Sequence, residues 1–408
     1  MKYIAKRIKI HFLLAITAMM FILSSCNKDV EQFTTPVVVT PSGLALGETI
    51  ATIADDSLYY RFIVKSGLLT TINTKSNIFT MFVPNNAAMR QFLVAIGAPA
   101  GQPDAVYSGF ITAFVPATTA ASIVSFNMIP QSITTASIPN TFPNFFYPTN
   151  LNPTGAPGSP GYNPLVRLLT FPSTRNGNWI NNIPLLAVNL AAANGVIHTA
   201  AAMPAPPQKV LAQRVFADAD LTYLAAAFQR ADSGVAPTTS ASLVWVLSNF
   251  GPNVTLFAPS NAAFQNLIFG LVYQQVFAAT GSVAIATATA NGAVAAGPAF
   301  LSTNNVSTQM VKGIVVYHML GSRAFLNNFP TTATSYPTLL NGGIPSHPGV
   351  SLTCTFTGPF VSAATVKGAA NATASNIAIN PTPEPNGTSD QFFVNGVIHK
   401  IDQVLRPQ

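Results

Sequence analysis

Residues 79–89 read FTMFVPNNAAM, and residues 254–264 read VTLFAPSNAAF, so one block of sequence occurs twice in the chain. In each copy an apolar, β-rich run ends at a proline, Pro84 or Pro259, which cannot donate a ladder hydrogen bond. The asparagine two positions later, Asn86 or Asn261, is expected to cap the helix that follows. Each block therefore predicts a strand followed directly by a helix.

A second block, NGVIH, occurs at residues 194–198 and again at residues 395–399. Asn-Gly is the pair that a type I′ hairpin turn favours, so Asn194-Gly195 and Asn395-Gly396 are predicted to form such turns. His198 and His399 occupy equivalent positions in the following strand. We interpret them as one structural feature present twice, a strand histidine hydrogen-bonded across the closing hairpin, and not as a pair of metal ligands.

The blocks occur in the same order in both copies, and the offset between matching blocks increases along the chain. This pattern indicates a tandem duplication with insertions in the second copy. The first copy is predicted to span residues 46–206 and the second residues 207–408, with Pro204-Ala205-Pro206-Pro207 at the join. Each copy mixes helices with antiparallel hairpins. The predicted fold class is therefore α+β.

In this order the blocks resemble the fasciclin I-like domain. The match is best in the second copy, at Phe257–Phe264, at Tyr317-His318 and at Asn395–Asp402. The first copy departs from the pattern, because Phe126-Asn127 stands where the family has Tyr-His. The resemblance implies two tandem fasciclin-like domains, each a β-sheet wedge with helices packed along one side. In metazoan relatives the Tyr-His element is linked to cell adhesion, which makes Tyr317 and His318 candidate binding residues; the alternative is that both anchor the core.

The N-terminus has the features of an export signal. A basic region precedes the apolar run Ile10–Leu23, which suits a signal peptide over residues 1–25 better than a membrane-spanning helix. Leu23-Ser24-Ser25-Cys26 resembles the bacterial lipobox, so Cys26 is predicted to carry acyl chains, with residues 26–45 as a tether. The alternative is a plain secretory signal with an incidental cysteine. We expect an outer-membrane lipoprotein of a Gram-negative bacterium that faces outward.

Composition and spacing exclude several classes of protein. Charged residues make up 8% of the chain, against about 25% in typical soluble domains. The net charge of +7 comes partly from four basic residues before residue 10, and no Lys/Arg run indicates nucleic-acid binding. No acidic residue lies between Asp104 and Asp218 or between Asp232 and Glu384. With no catalytic or phosphate-binding motif either, we expect no enzyme activity, no cofactor and no metal site.

The insertions are the expected place for binding residues. Pro139–Trp179 is rich in aromatic and asparagine side chains, which suit a neutral carbohydrate or a protein edge. The candidate binding residues there are Phe145, Phe146, Tyr147, Tyr162 and Trp179. The alternative is that these aromatic side chains cover their own domain. Ala278–Ala299 in the second copy is expected to be a flexible surface loop.

Two smaller features also lead to predictions. Asp56-Ser57-Leu58 fits a short O-glycosylation pattern, although its position at a helix start favours capping. Cys354 alternates with polar residues, as expected on the buried face of a strand.

The sequence thus predicts a non-catalytic surface lipoprotein that mediates adhesion or binds matrix, cells or glycans. One alternative is a glycan-capture accessory of a polysaccharide-uptake system, and another is a purely structural envelope protein. The partners expected are the membrane, through the lipid anchor, and an extracellular protein or glycan. The sequence leaves the ligand and the oligomeric state open.

Overall fold

A computed structural model describes residues 42–155, 162–303 and 306–408, and residues 42–408 cluster as a single unit. The predicted signal peptide, Cys26 and most of the tether therefore lie outside the described residues. Within the described ranges, no single helix is long and apolar enough to cross a membrane; Asp104–Phe114 and Ala117–Phe126 reach that length only together, with a bend of 111° between them.

The first half of the chain begins with helices and ends with strands. The helices are α1 Leu46–Thr52, α2 Ser57–Ser66, α3 Leu69–Asn73, α4 Asn86–Ala95, α5 Asp104–Phe114 and α6 Ala117–Phe126. The strands are β1 Phe79–Pro84, β2 Met128–Ile129, β3 Tyr147–Pro148, β4 Leu169–Thr170, β5 Pro172–Ser173, β6 Trp179–Ile180, β7 Ile183–Ala192 and β8 Gly195–Ala200.

The second half also begins with helices and ends with strands. Its helices are α7 Leu211–Val215, α8 Thr222–Ala231, α9 Leu243–Ser248, α10 Asn261–Thr280, α11 Val283–Ala295 and α12 Thr308–Tyr317. Its strands are β9 Val254–Pro259, β10 Met319–Leu320, β11 Thr334–Tyr336, β12 Val350–Thr357, β13 Phe360–Lys367, β14 Ser375–Asn376, β15 Gln391–Phe393 and β16 Gly396–Ile401.

The central sheet has the same connectivity in both halves. In the first half the order β2-β1-β8-β7 continues into β6-β5, and in the second half the order is β10-β9-β16-β15. The closing strand pairs parallel with the strand of the first block, β8 with β1 and β16 with β9, and antiparallel with the strand before it. The register is also repeated, since Phe82 is opposite His198 and Phe257 is opposite His399. The duplication in sequence is thus a duplication of topology.

Both faces of each central strand are covered, and therefore all six residues of β1 and of β9 are buried. One face packs on the helices: Met81 and Val83 join the first helical core, and Leu256 and Ala258 join the second. On the opposite face, Phe82 and Phe257 belong to separate clusters on the strand-rich side. The cluster that contains Phe257 is formed largely by the sheet β11-β12-β13-β14 and includes Cys354 at 1% exposure. The predicted α+β fold class is confirmed.

The expectation of a flexible loop at Ala278–Ala299 was wrong. Helix α10 continues to Thr280, Gly281 ends it with a positive φ of 65°, and α11 then occupies residues 283–295. The Ser282 side chain caps α11 by accepting a hydrogen bond from the Ile285 N–H. Alanine, which dominates this stretch, is the best helix former, and its propensity outweighs the scattered glycines.

The predicted helix caps were wrong by one residue. The caps of α4 and α10 are Asn85 and Ser260, whose side chains accept from the N–H groups of Ala88 and Ala263. Asn86 and Asn261 are the first residues of these helices, and their Oδ1 atoms instead accept from the N–H groups of Leu58 and Tyr223 in the preceding α2 and α8. Each of these asparagines therefore connects its own helix to an earlier one, whereas the sequence predicted only a cap for the helix that follows.

Candidate functional site

The closing Asn-Gly pairs do not form type I′ turns. Such a turn needs a positive φ at its asparagine, and neither Asn194 nor Asn395 has one. Both side chains are buried and act as clamps. Asn395 accepts from the Leu211 N–H at 2.9 Å and donates to the carbonyls of Val246 and Leu247 at 3.1 and 2.8 Å.

Asn194 makes the equivalent contacts in the first half. Its Oδ1 accepts from the Leu46 N–H at 2.8 Å, and its Nδ2 donates to carbonyls that include those of Ile72 and Asn77. In both halves the asparagine thus connects the closing hairpin to the first helix of the domain. The physical role of this asparagine is to satisfy buried backbone groups.

His198 and His399 are fully buried and hydrogen-bonded across the hairpin. Nε2 of His399 donates to the Ala324 carbonyl at 2.9 Å, and its Nδ1 accepts from the Asp390 N–H at 3.1 Å. His198 makes the same pair of bonds with the Ile133 carbonyl and the Asn189 N–H. Burial lowers the pKa of His399 to about 4, so the ring is neutral. Its 3.9 Å contact with the Asp390 carboxyl is therefore not an ion pair, although Nδ1 lies within the usual distance.

Tyr317 and His318 lie in the interior, at 0% and 1% exposure. The Tyr317 hydroxyl donates to the Gly349 carbonyl at 2.6 Å and accepts from the Ala369 N–H at 2.9 Å. His318 donates from Nδ1 to the Ile314 carbonyl and accepts at Nε2 from the Leu405 N–H. This placement favours the alternative that both residues anchor the core, because no ligand could reach them without opening the domain. In the first half, Asn127 is buried in the same way and donates to the Tyr59 hydroxyl.

The aromatic insertion packs in two directions. Tyr147 joins a cluster of its own domain, as the alternative from the sequence expected, whereas Phe142 and Phe171 pack against the second half of the chain. Phe171 is fully buried and lies 5.7 Å from Phe325 and 6.2 Å from Phe392, between ring centroids. Phe142 contacts Phe329 and Tyr336 edge-on, at 5.6 and 4.3 Å. The insertion is thus a part of the junction between the two halves.

The asparagines of the insertion complete this junction. Asn144 accepts from the Phe325 N–H, and Asn176 donates to the carbonyls of Asn327 and Phe329. In return, Asn327 and Asn328 donate to the carbonyls of Asn181 and Thr141. Amide side chains suit this role because each one donates and accepts without carrying a charge into the interior.

Arg323 was not singled out from the sequence, yet it lies at the centre of the junction with 1% exposure. Its guanidinium carbon lies 5.0 Å from the Phe171 ring and 5.2 Å from the Phe392 ring, one from each half. Nη2 donates to the Val394 carbonyl. Burial lowers the pKa of Arg323 to about 9. The role of Arg323 depends on its contact with Phe171 of the first domain, and no local sequence pattern indicates that contact.

The candidate binding residues of the insertion fall into two groups. Trp179 and Tyr147 are buried, at 4% and 9% exposure, and Tyr162 is half-buried. Phe145 and Phe146 remain exposed at 46% and 44%, stacked on each other with centroids 5.8 Å apart. Of the predicted aromatic candidates, this pair alone presents large ring surfaces to solvent within the described residues.

Several titratable groups in the part of the chain described have pKa values that burial shifts. No group of three His, Cys, Asp or Glu side chains there could hold a metal ion. Burial raises the pKa of the Asp390 carboxyl to about 7 and that of the Cys354 thiol to about 11. Asp56 is buried too, and no side-chain bond from it caps α2. Ser57 is exposed, and its glycosylation stays a prediction.

Comparison with known proteins adds to this geometry. The family model described as the fasciclin domain matches residues 55–202. No curated protein matches the sequence. One similar solved structure is a FAS1 domain pair from the insect cell adhesion molecule fasciclin I. It is 13% identical, with 85% of this chain and 95% of that chain covered and a TM-score of 0.31.

Proposed function

Because the chain is a fasciclin-like domain protein, with a second domain of the same sheet topology, we propose that it is a non-catalytic binding protein that mediates adhesion at the cell surface. The ligand-binding surface lies beside the aromatic junction between the two domains. The ligand is an extracellular protein or a glycan. The predicted acylation of Cys26 holds this body at the outer face of the outer membrane.

The observation that carries the proposal is the exposed Phe145–Phe146 pair. A solvent-exposed stack of two large rings is unusual unless it serves an interface, and aromatic side chains are enriched among residues that dominate binding energy. The pair is held in place, because Phe145 contacts Tyr147 edge-on at 5.2 Å and Phe146 lies 6.4 Å from buried Phe171. A preorganised site of this kind loses little conformational entropy on binding.

The surface charge supports a neutral ligand. Charged residues are 8% of the sequence, so polar contacts near the pair must come mainly from amides, hydroxyls and the backbone. Uncharged hydrogen bonds beside aromatic rings suit sugar rings and polar peptide edges alike. Both classes of ligand must therefore be tested.

The test measures binding of residues 42–408 to a glycan array and to cell or matrix preparations. This fragment contains all the hydrophobic clusters of the described structure. The double variant Phe145→Ala and Phe146→Ala should weaken binding by about 1–3 kcal/mol, the range for truncated aromatic anchors. The matched control is Phe360→Ala, which removes a single ring from β13 that is 63% exposed, more than either ring of the pair.

Each outcome has a consequence. Sugar binding that depends on the pair supports the glycan-capture alternative, and cell or matrix binding without sugar preference supports adhesion. Equal loss in the Phe360 control, or unchanged binding in the double variant, contradicts the proposed site.

A further inference from the structure

The second domain contains an apolar cavity that the proposed adhesion function does not use. Its volume is about 950 Å³, within the range of small-molecule sites in proteins. Its walls come from α10, α11, α12 and the short helix Gly297–Ser302. The corresponding helices of the first domain, α4, α5 and α6, line a smaller pocket of about 640 Å³, because α4 is half as long as α10.

The lining of the cavity is uncharged. Among the described residues, its only polar side chains are Gln275, Thr280 and Thr289, and the two threonine hydroxyls already donate to carbonyls of their own helices. A bound molecule would therefore find apolar contact along most of the cavity and one free amide at the exposed Gln275. Ligands with charged or many polar groups would lose hydration there without compensation.

Charged side chains near the cavity lie at one side of it, where Arg230 donates to the carbonyl of the lining residue Val306 at 2.8 Å. Residues 233–311 contain no Asp, Glu, Lys, Arg or His. Two residues of the lining, Leu271 and Met310, are 46% and 54% exposed, and Val283 and Ile285 on α11 are 59% and 53% exposed. On the side formed by α10 and α11, the apolar rim lets a hydrophobic chain enter from a lipid phase without passing a charged side chain.

From the cavity and its rim we infer that the second domain takes up one acyl chain of a membrane lipid. The choice of a lipid as the source rests on the proposed anchor at Cys26. The segment from there to Ser42 spans at most roughly 50–60 Å when fully extended, at 3.3–3.6 Å per residue. The body is thereby kept within reach of a bilayer, where acyl chains are the abundant apolar ligand.

The test titrates residues 42–408 with cis-parinaric acid, a fluorescent fatty acid, and then displaces it with oleic acid or methyl oleate. Because the lining is uncharged, the acid and its methyl ester should displace the fluorophore to a similar extent. Ala293→Trp, which places an indole in the cavity, should weaken binding by at least about tenfold. Ala279→Trp, at an exposed position of the lining, should act in the same direction even if the first variant does not fold.

The matched control is Ala288→Trp, on an exposed position of α11 outside the lining, which should bind as the unmodified protein does. Absence of fatty-acid uptake by the unmodified protein would overturn the inference. So would equal binding by all variants, or a dimer formed through α10 and α11 that excludes the fatty acid. Uptake is measured on a fragment without Cys26 or any adhesion ligand, so its failure is distinguishable from failure of the proposed function.

Discussion

At the scale of single residues, the protein depends on buried polar side chains that satisfy the backbone of distant segments. Asn194 and Asn395 each bond to the start of their domain, and His198 and His399 each bridge the closing hairpin. Each of these groups is costly to bury alone and stabilising only when all its hydrogen bonds are made. A substitution at any of them removes several bonds at once.

Asn395→Ala is expected to lower the free energy of unfolding by about 1–3 kcal/mol, because it leaves buried backbone groups of α7 and α9 without partners. Chemical denaturation of residues 42–408 measures the change. Asn386→Ala, at an exposed loop position, serves as the control and should leave the midpoint unchanged. A midpoint that is equally unchanged in Asn395→Ala would rule out the clamp.

Asp390→Asn should make the protein more stable relative to the unmodified chain as the pH rises from about 4 to 8. Asp390 keeps its proton in the folded state up to about pH 7 but loses it near 3.8 when unfolded, so folding binds protons across this window and stability falls as the pH rises. Asparagine has no proton to lose and tolerates the positive φ of 50°.

The buried histidines act in the opposite direction, because their lowered pKa values remove stability as the pH falls from about 6.5 towards 4. His318 lies apart from Asp390 and cancels in the difference between the two proteins, whereas the effect of His399, whose Nδ1 lies 3.9 Å from the Asp390 carboxyl, is read from the part of the curve below about pH 6.5. Denaturation at several pH values measures the difference. A difference between the two proteins that does not vary with pH would contradict the protonated state of Asp390.

The sequence predicted these residues better than it predicted their roles. The repetition of Asn-Gly-Val-Ile-His located the closing strand and the histidine bonded across it, because those roles depend on local alternation. The asparagines were assigned to turns and caps, which are also local. Their real partners, such as Leu211 for Asn395, are distant in sequence. No local pattern encodes such contacts.

At the scale of elements, the parallel pairing of β1 with β8 depends on a close backbone approach. Gly195 begins β8 with a φ of 155°, and a Cβ atom there would lie 1.8 Å from the Phe79 carbonyl oxygen. No side chain fits this position without separating the two strands. The same close approach recurs at Gly396, where a Cβ would lie 2.6 Å from the Val254 carbonyl oxygen.

Gly195→Ala should therefore destabilise the first domain by at least about 2–3 kcal/mol, at the upper end of ordinary point substitutions. Gly109→Ala is the matched control, because Gly109 lies within α5 with open space around it. That change should stabilise the helix by about 1 kcal/mol. Thermal unfolding of both variants gives the comparison, and a loss in neither would argue against the strand pairing.

Elements made by insertions were the hardest to predict. Helices α10 and α11 lack a clear polar face, so no periodicity separated them from an apolar loop. Short strands of the aromatic insertion, such as β5 and β6, have two residues each and carry no pattern of their own. Their positions follow from what they pack against.

At the scale of the whole molecule, the two domains share an aromatic junction centred on Phe171 and Arg323. Phe171→Ala should cost about 3–5 kcal/mol, the usual loss for a buried phenylalanine. It should also separate the unfolding of the domains, because their shared cluster is lost. Denaturation followed at two wavelengths, with exposed Phe114→Ala as the control, reveals whether one transition becomes two.

The proposed anchor is a property of the whole chain in its cell. Cys26→Ala should abolish fatty-acid labelling and move the protein from the membrane fraction to the soluble fraction. Cys354→Ala is the matched control, since that thiol is buried in β12 and should not be acylated. Labelling and fractionation of Cys26→Ala that match the unmodified protein would remove the anchor from the proposal.

The parallel pairing of each opening strand with the last strand of its domain constrains how the protein is made. β1 cannot complete its ladder until β8 has been synthesised, and β9 must wait for β16, so neither domain can fold progressively from its N-terminus. Long-range pairing of this kind slows folding. For the export that we propose, a chain that remains unfolded until each domain is complete can pass through a narrow secretion channel in an extended form. Until the second domain has been synthesised, Phe171 has no partner in it, and the aromatic insertion stays open to aggregation or to a chaperone.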